Sequence, residues 1–367
     1  MQLITRLIIS ALFTLFPCFL SAAQNTVAKE TTDKVSLASL PWTVNFYFEN
    51  DLFTASDKNY TNGARVSWVS PDIDDFINDP RIPPWASKLN QQLTLLDPTP
   101  NVADDVLRRL VLTAGQQIYT PTDISRTTLD PNDRPYAGWL YGGVMYHART
   151  NNTLHSTGAN LGIVGPWALG EETQNTVHRT RGLDEWEGWD NQLENELAFQ
   201  IIFERKDKWL QSYIYRGLGY DFISHYGTSV GNLATYLNGG AEFRLGWRLP
   251  SDMGTGSLRP GGDNSSPSLR HLKDNKLHYQ AQGKQLGAHA FISTDIKRVF
   301  YDIFLDGNSI ANSHSIDKEM WVSEAAIGLA MFYKSTKFSF ARVHRTPEFK
   351  QQDKGHSYGS IALTMSF

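Results

Sequence analysis

The sequence predicts an all-β protein, a transmembrane antiparallel β-barrel of about twelve strands, with a short helix in an extracellular loop. Three observations predict this fold: an N-terminal leader, a series of alternating strand patterns, and a last strand that ends on an aromatic residue. At 360–367, apolar side chains alternate with small or polar ones, and the chain stops at Phe367. Such a strand suits a barrel wall with lipid on one side and a wet lumen on the other.

The first 23 residues have the pattern of a signal peptide. Arg6 is the only charged residue before Lys29, and an apolar run covers 7–20. That run is too short to cross a bilayer comfortably, and small residues follow it at 21–23. Because the single cysteine, Cys18, lies in this leader, we expect a mature protein without disulfides or thiolate-bound metal.

Composition agrees with a barrel but does not prove one. A formal net charge of −4 argues against a nucleic-acid partner. The 15 Tyr and 10 Trp residues suit aromatic girdles at the two membrane interfaces. A soluble β-sandwich could have the same totals, so the strand pattern has to decide. We expect residues 24–40 to form a periplasmic lead-in and residues 41–367 to form the barrel.

Alternation of apolar and polar residues predicts twelve strands. The clearest pattern begins at Leu193, and its apolar face is predicted to meet lipid. That face carries Leu193, Leu197, Phe199, Ile201 and Phe203, and the opposite face carries Glu194, Glu196, Gln200 and Glu204. The twelve predicted strands lie near 42–50, 60–70, 109–118, 136–149, 155–164, 191–204, 208–220, 233–247, 284–305, 319–334, 336–346 and 357–367.

An even strand count places both termini on the periplasmic side, so every odd-numbered connection faces outward. The first, third and fifth connections, at 51–59, 119–135 and 165–190, are therefore predicted to be extracellular. Short periplasmic turns are predicted at Asn151-Asn152, Lys206-Asp207 and Lys334-Ser335. Two long connections also fall on that side. The connection at 71–108 has a weak helical pattern through Leu89, Leu93 and Leu96, and the Gly-, Ser- and Pro-rich one at 248–283 is expected to be mobile.

The outward connections carry the densest polar groups. Residues 167–180 carry Glu early and His and Arg late, which suits a short helix and its dipole. Asp133 and Arg134 suit a local salt bridge, and Asn-Asp pairs at strand ends are commonly turns. The Gly227–Gly231 stretch matches G-x-S-x-G, with His225 nearby, but no helix follows it, so we interpret it as a Gly-rich outer loop.

A set of short motifs occurs in a fixed order: Glu49-Asn50-Asp51, Tyr60-Thr61-x-Gly63, Gln117-Ile118-Tyr119-x-Pro121, Asp133-Arg134, Gly165-Pro166, Gln174-Asn175, His178-Arg179, Gly182 and Trp189-x-x-Gln192. Together with the terminal Phe367, this ordered set resembles the outer-membrane lipid A 3′-O-deacylase family across most of 42–367. The resemblance implies a twelve-stranded enzyme, a carboxylic ester hydrolase that removes the 3′-linked acyloxyacyl chain of lipid A. Its active site is expected between the barrel wall and a helix from an outer loop.

The resemblance also implies the catalytic base. By matching position, His178 activates water, and imidazole is suited to that role near neutral pH. Asp184 falls where the family carries a Glu that supports the histidine. Glu185 is one residue away, so the identity of the supporting acid stays open.

A metal and a substrate contact follow from the same resemblance. Asn50, Asp51 and Thr61 match the polar cluster of the family at its metal and scissile ester, with Asp51 as a ligand of Ca²⁺. A hard cation bound by oxygen ligands would stabilise the oxyanion. Arg126 matches a basic position that meets a lipid A phosphate. The expected partners are lipopolysaccharide and outer-membrane lipid, and the protein is expected to be a monomer with its site facing the cell exterior.

Two other functions remain as alternatives. An outer-membrane phospholipase would need a serine nucleophile beside His and Asn on the outer wall of the barrel. A passive pore or adhesin would need no catalytic group. A pore would need a wide lumen, whereas twelve strands enclose a narrow one that side chains such as Glu194, Glu196 and Gln200 are expected to fill.

Overall fold

The computed structural model describes residues 42–50, 59–73, 78–79, 84–92, 106–123, 125–182, 184–255, 270–273, 276–279 and 286–367. Its strands are β1 (Thr43–Asn50), β2 (Asn59–Val69), β3 (Leu107–Thr120), β4 (Ala137–Arg149), β5 (Thr153–Val164), β6 (Glu196–Tyr215), β7 (Leu218–Val230), β8 (Ala234–Trp247), β9 (Arg270–Lys273), β10 (Lys276–Tyr279), β11 (Leu286–Asp302), β12 (Trp321–Tyr333), β13 (Thr336–Arg345) and β14 (His356–Ser366). Its helices are α1 (Pro84–Gln92), α2 (Gly170–Arg181) and α3 (Ile303–Asp306), with 3₁₀ turns at Pro166–Ala168 and Trp189–Asn191.

Twelve of these strands close into one antiparallel barrel, as predicted. Their order is β1-β14-β13-β12-β11-β8-β7-β6-β5-β4-β3-β2, while β9 and β10 form a separate hairpin. None of the helices in the described ranges has the length and apolarity needed to cross a membrane.

The alternation that predicted the barrel wall is confirmed in β6 and β14. In β6, Leu197 and Phe199 are exposed on the outside, whereas Glu196 and Gln200 are buried in the lumen. In β14, the small or polar residues face inward and are buried: Ser360, Ala362, Thr364 and Ser366. Every second residue therefore meets lipid, and the residues between them fill the interior.

The predicted turn at Lys206-Asp207 is wrong. Strand β6 continues to Tyr215, and the chain reverses at Arg216-Gly217, whose φ angles of 46° and 86° suit a two-residue hairpin. Lys206 and Lys208 look like turn residues in the sequence, but both point into the lumen and are buried. Their amino groups lie 3.5 Å from Glu204 and 3.7 Å from Asp221, so they belong to the inner face of the barrel.

The sixth strand also begins later than predicted, at Glu196 rather than near 191. Leu193 is buried and its backbone N–H bonds to the carbonyl of Tyr136, while Glu194 is exposed and its N–H bonds to Asn308. Because these hydrogen bonds go to loops, the two residues do not join the ladder. Their predicted lipid-facing and lumen-facing positions are therefore wrong.

The two rims of the barrel differ. We call the end where β1 starts and β14 ends the terminal rim, and the opposite end the distal rim. The predicted turns at Asn151-Asn152 and Lys334-Ser335 lie at the terminal rim, as does the long connection that contains α1. Helix α1 contains Leu89 and ends before Leu93 and Leu96, which lie outside the described residues. Helix α2 lies in the connection between β5 and β6 at the distal rim, which confirms the predicted loop helix.

From the terminal rim, the segment 249–255 enters the lumen. The expectation that 248–283 is mobile is wrong for this part, because Asp252 and Met253 are buried. The Asp252 carboxylate lies 2.7 Å from Lys337 Nζ and also pairs with Arg244, while its main-chain carbonyl accepts a hydrogen bond from Lys208 at 2.6 Å. Charges on the inner strand faces therefore anchor the segment.

A second ion cluster lies in the lumen toward the distal rim. Glu348 accepts hydrogen bonds of 3.1 Å from Arg134 and from Arg345, and Arg345 also pairs with Glu324. Between the two clusters lies a cavity of ≈ 220 Å³ lined mainly by polar and aromatic side chains.

The G-x-S-x-G stretch lies on β7, where Ser229 is buried in the lumen and its hydroxyl donates to Gln200 and to the carbonyl of Ala234. The prediction of an outer loop holds only for Gly231.

Candidate functional site

A row of directly opposed residues crosses the outer wall near the distal rim. Asn50 on β1 pairs with Asn62 on β2, Asn62 with Ile118 on β3, and Ile118 with Gly138 on β4. Their sequence neighbours Glu49 and Gln117 line the lumen, so alternation places Asn50 and Ile118 on the outer face. The row brings polar groups of β1 and β2 to the same face as the loop that contains α2.

Helix α2 begins against the far end of this row. A Cβ atom built on Gly138 would lie 3.2 Å from main-chain atoms of Gly170, the first residue of the helix. The Gln116 side-chain amide on the same face donates to the carbonyls of Ala168, at 2.7 Å, and Leu169, at 3.2 Å. The helix start is therefore fixed to the wall at β3 and β4, and a larger residue at 138 would displace it.

Four apolar and aromatic residues fix the chain that follows the helix. Ile118, Tyr136, Trp186 and Trp189 form one buried cluster. The rings of Tyr136 and Trp189 have centroids 4.9 Å apart. Burial raises the pKa of Tyr136 to about 12, so its hydroxyl stays neutral. This cluster positions Trp186 beside the last turn of α2.

His178 is buried on α2 with defined roles for both ring nitrogens. Its Nδ1–H donates to the main-chain carbonyl of Asp184 at 2.6 Å. Nε2 is then the acceptor, and the indole N–H of Trp186 approaches it at 3.3 Å. The Gln174 side-chain amide, one helical turn earlier, lies 3.0 Å from the same nitrogen. The basic nitrogen of His178 is thus Nε2, and its ring is held from three sides.

The end of α2 explains why Asp184 reaches the histidine. Gly182 has φ 68° and closes the helix with a hydrogen bond to the carbonyl of Arg179. A residue with positive φ at this position turns the chain back along the last turn. Asp184 contacts His178 through its main chain, and its own side chain is exposed.

Glu185, the other candidate acid, binds elsewhere. Its carboxylate accepts hydrogen bonds from Arg179 at 3.0 and 3.3 Å. These hydrogen bonds lower the pKa of Glu185. In the described contacts, a peptide carbonyl rather than Glu185 orients His178, and a supporting role for the carboxylate of Asp184 stays a prediction.

Only part of the predicted metal site lies within the described residues. Asp51 lies outside the described residues. Thr61 belongs to β2 at a register shift between Tyr60 and Asn62, which is a β-bulge at the level of the row. Asn50 is buried on the outer face. Among the described residues, no three His, Cys, Asp or Glu side chains converge as a metal site. The amide oxygens of Asn50 and Asn62 are nevertheless hard donors of the kind that Ca²⁺ binds.

Arg126 lies in the connection between β3 and β4, apart from the His178 contacts. Its guanidinium lies 2.6 Å from the Asp130 carboxylate and also donates to the carbonyls of Thr128 and Leu129. The structure thus gives this arginine partners within its own loop, and phosphate binding by it stays a prediction.

The expected local salt bridge between Asp133 and Arg134 is wrong. The Asp133 carboxylate accepts backbone N–H groups of Thr122 and Arg134, at 2.7 and 2.8 Å. The Arg134 guanidinium instead reaches Glu348 in the lumen, because its buried side chain points inward over the ring of Tyr119.

Two residues at the site were given no role from the sequence. Gln174 lies four residues before His178, a helical spacing that could have indicated contact. No sequence pattern indicated that Trp186 would aim its indole N–H at the histidine, because that contact depends on how the loop folds back.

The comparisons with known proteins agree with this architecture. A model of the family described as outer membrane protein LpxR matches residues 7–367. Among solved structures, LpxR from Salmonella typhimurium is similar, with a TM-score of 0.65, 21% identity, and coverage of 89% of this chain and 100% of that chain. The β domain of the Bordetella autotransporter BrkA overlaps far less, with a TM-score of 0.38, 8% identity, and coverage of 89% and 98%.

No curated protein matches the chain. The structural likeness at 21% identity supports the barrel fold, and the family model covers nearly the whole sequence. The chain belongs to the LpxR family of outer membrane proteins, and its twelve-stranded barrel lies in the bacterial outer membrane.

Proposed function

We propose that this protein hydrolyses the ester that links the acyloxyacyl chain to the 3′ position of lipid A in the outer leaflet. Membership of the LpxR family supports an outer-membrane enzyme that modifies lipid A. The observation that carries the more specific proposal is the geometry of His178. It is a buried imidazole on the outer wall whose acceptor nitrogen is defined by the hydrogen bond of the other nitrogen.

In the proposed reaction, water attacks the ester carbonyl carbon and Nε2 of His178 takes a proton from that water. The carbon–oxygen bond to the sugar then breaks, and the 3′ oxygen receives the proton. The acyloxyacyl chain leaves as a carboxylic acid. The carbonyl of Asp184 stabilises the imidazolium formed in between, because Nδ1–H already donates to it. Before water binds, Gln174 and Trp186 hold the ring through Nε2, and their N–H groups give up this lone pair to the attacking water.

We further propose that Ca²⁺ binds beside this histidine, with Asp51 as its carboxylate ligand and Asn50 as a source of amide oxygen. The outward, buried position of Asn50 in the row supports this placement. When bound, the cation would supply positive charge to the oxyanion that forms on the ester carbonyl. The site would face the cell exterior, because it lies at the distal rim.

The proposal is tested by mass spectrometry of lipid A from cells that express the chain. Wild type should remove the 3′-acyloxyacyl unit, and a His178→Ala barrel of equal abundance should leave lipid A intact. A folded wild-type barrel that leaves lipid A unchanged would contradict the proposed activity. Deacylation by the His178→Ala variant would contradict only the assignment of the base.

One observation favours a phospholipase as the second candidate. On the outer wall, Nδ1 of His344 lies 3.0 Å from the hydroxyl of Ser357, across the β13–β14 pair. A serine beside a histidine is the arrangement that such an enzyme needs. This pair is exposed, unlike His178. A Ser357→Ala variant separates the two functions: deacylation of lipid A should persist, whereas release of lysophospholipid that depends on Ser357 would support the second.

A further inference from the structure

The row of opposed residues continues from Asn50 in the other direction around the barrel. Asn50 pairs with Gly359 on β14, Gly359 with Arg342 on β13, Arg342 with Ile327 on β12, and Ile327 with Ile292 on β11. Ile292 and Ile327 are exposed lipid-facing residues, as a barrel wall requires. The polarity of the row changes at Arg342, and from there to Asn62 it contains no apolar side chain.

Arg342 occupies an unusual position for a charged residue. Alternation along β13 places it on the outer face with Phe338 and Phe340, and its side chain is exposed. A cation on the lipid face is unfavourable unless it reaches the interface or a partner. Within the described part of the chain, the structure gives Arg342 no ion pair and no aromatic ring.

Arg298 provides an internal comparison. It also lies exposed on the outer wall, on β11 near the distal rim, where it pairs with Trp321 across the ladder. Its guanidinium lies 5.4 Å from the centroid of the Phe300 ring and 5.7 Å from that of Trp321. Those aromatic faces stabilise its charge. Arg342 lacks such a contact among the described residues, so the two arginines differ in whether an aromatic ring stabilises the guanidinium charge.

The apolar band is also shorter where Arg342 lies. On β12, the lipid face carries large exposed apolar residues from Tyr333 up to Ile327 and again at Trp321. On β13, only Phe338 and Phe340 precede Arg342, and exposed His344 follows it. Polar groups therefore reach further down the outer wall in the sector of β13 than in the neighbouring sector of β12.

The distance from Arg342 to Asn50 is short. Only β14 separates β13 from β1, and neighbouring strands lie about 4.8 Å apart, so the Cα atoms of Arg342 and Asn50 are roughly 10 Å apart. The residue between them in the row, Gly359, has no side chain to separate the two groups. Helix α2 lies at the opposite end of the row, beyond β2 and β3. Arg342 and His178 thus lie on opposite sides of Asn50.

Resting on the proposed function, we infer that Arg342 binds a phosphate group of the lipid substrate and positions its ester at Asn50 and His178. Guanidinium binds phosphate through paired N–H donors, and a membrane-facing arginine that has no ion pair with the described residues can offer these donors to a ligand. The ligand class is a phosphorylated glycolipid of the outer leaflet. Arg342 is a substrate-binding residue in this assignment and takes no part in proton transfer.

The test compares three arginine variants on three substrates. Purified wild type, Arg342→Gln and Arg298→Gln are assayed in detergent micelles against bisphosphorylated lipid A and against each monophosphorylated form. We expect Arg342→Gln to raise KM for bisphosphorylated lipid A about tenfold or more with little change in kcat, since one charged hydrogen-bonding group is lost. Arg298→Gln should match wild type, and Arg342→Lys should restore part of the loss.

The decisive result is whether the effect of Arg342→Gln on KM depends on one particular phosphate group of lipid A. For one of the monophosphorylated forms, wild type and Arg342→Gln should have equal KM values, because the partner of the arginine is missing. An equal loss on every substrate would overturn the inference and indicate a structural role. Identical behaviour of Arg342→Gln and Arg298→Gln would overturn it as well.

A binding measurement separates this inference from the proposed reaction. Native mass spectrometry of the folded barrel with bisphosphorylated lipid A should show a bound lipid that the Arg342→Gln barrel retains less well. Inorganic phosphate added in place of the lipid should not show binding that depends on Arg342. If wild type binds the lipid through Arg342 yet never cleaves it, the proposed activity fails and the binding site stands. If neither binding nor KM depends on Arg342, the inference fails whatever the activity.

Discussion

In the lumen, buried charges neutralise one another, whereas on the outer wall a buried histidine is held by neutral groups. Asp252 meets Lys337 at 2.7 Å and also Arg244, and Arg244 in turn meets Asp221 at 2.5 and 2.7 Å. His178 has a peptide carbonyl, an indole and an amide around it. Both regions bury polar atoms, but the acceptor nitrogen of His178 is contacted by an indole and a side-chain amide, whereas the lumen carboxylates are contacted by cations.

This difference indicates that the lumen charges stabilise the fold, whereas the histidine on the outer wall serves the proposed reaction. A carboxylate that two cations already pair has little capacity left to exchange a proton with a substrate. Its removal leaves uncompensated charge, which destabilises the fold. Contacts with an amide, an indole and a peptide carbonyl, such as those of His178, contribute less to folding than such charge pairs. Substitutions in the lumen should therefore change stability, and those beneath α2 should change activity.

The largest effect is expected from substitution of His178, and a buried histidine in the lumen provides the matched control. His178→Ala should lower deacylation by roughly 10²–10⁴-fold, because a general base contributes that much. His225→Ala removes a lumen histidine that lies 2.7 Å from Asp295, and it should leave the rate per folded barrel near wild type. Initial rates on purified lipid A, normalised to folded protein by gel mobility with and without heating, measure both. Equal losses in the two variants would contradict the separation.

Asp252→Ala should be the most destabilising change in the lumen. Lys337 would keep a buried charge without this carboxylate and Arg244 would lose one of its carboxylate partners, which costs about 3–5 kcal/mol. Lys318→Ala is the control, since its pair with Asp306 is partly exposed and contributes about 0–1 kcal/mol. Urea unfolding in lipid vesicles, followed by tryptophan fluorescence, gives both values. An Asp252→Ala barrel as stable as wild type would show that the segment 249–255 is not anchored by charge.

Removal of the proposed cation should lower the catalytic rate at the outer-wall site and leave the stability of the barrel unchanged. Chelation, or an Asp51→Asn substitution, should lower kcat by roughly 10²–10³-fold, the loss expected when an oxyanion partner is removed. Added Ca²⁺ should restore the chelated enzyme and should not restore Asp51→Asn fully. Full activity after thorough chelation would remove Ca²⁺ from the proposal while leaving His178 in place.

The smallest effect is expected from the indole that contacts His178. Trp186→Phe deletes a donor to Nε2 and should lower kcat less than tenfold, as one hydrogen bond is worth about 0.5–1.5 kcal/mol. Trp189→Phe is a close match, because Trp189 is equally buried in the same cluster and its indole nitrogen has no hydrogen-bond partner within the described ranges. The two variants should lose similar stability, and only Trp186→Phe should change kcat. A change in kcat of the same size in Trp189→Phe would indicate a packing effect.

The sequence by itself determined the barrel, because strand alternation is a local property with a period of two. The faces of 197–204 and 360–366, the count of twelve strands, and the loop helix that bears His178 could all be predicted from neighbouring residues. The continuation of β6 through 206–207 could not, because charged residues suit a turn and a polar lumen equally well. The nearby Lys208 pairs with Asp221, which belongs to another strand.

Only the tertiary structure decided which groups meet. Strand register, which depends on pairing around the whole barrel, places Asn50 in one row with Gly138 on one side and Arg342 on the other. The helix end at Gly182 lets a main-chain carbonyl reach His178, and a peptide carbonyl has no sequence signature. Lumen pairs such as Arg134 with Glu348 join residues more than 200 positions apart. Local patterns cannot indicate such contacts, because closure of the barrel creates them.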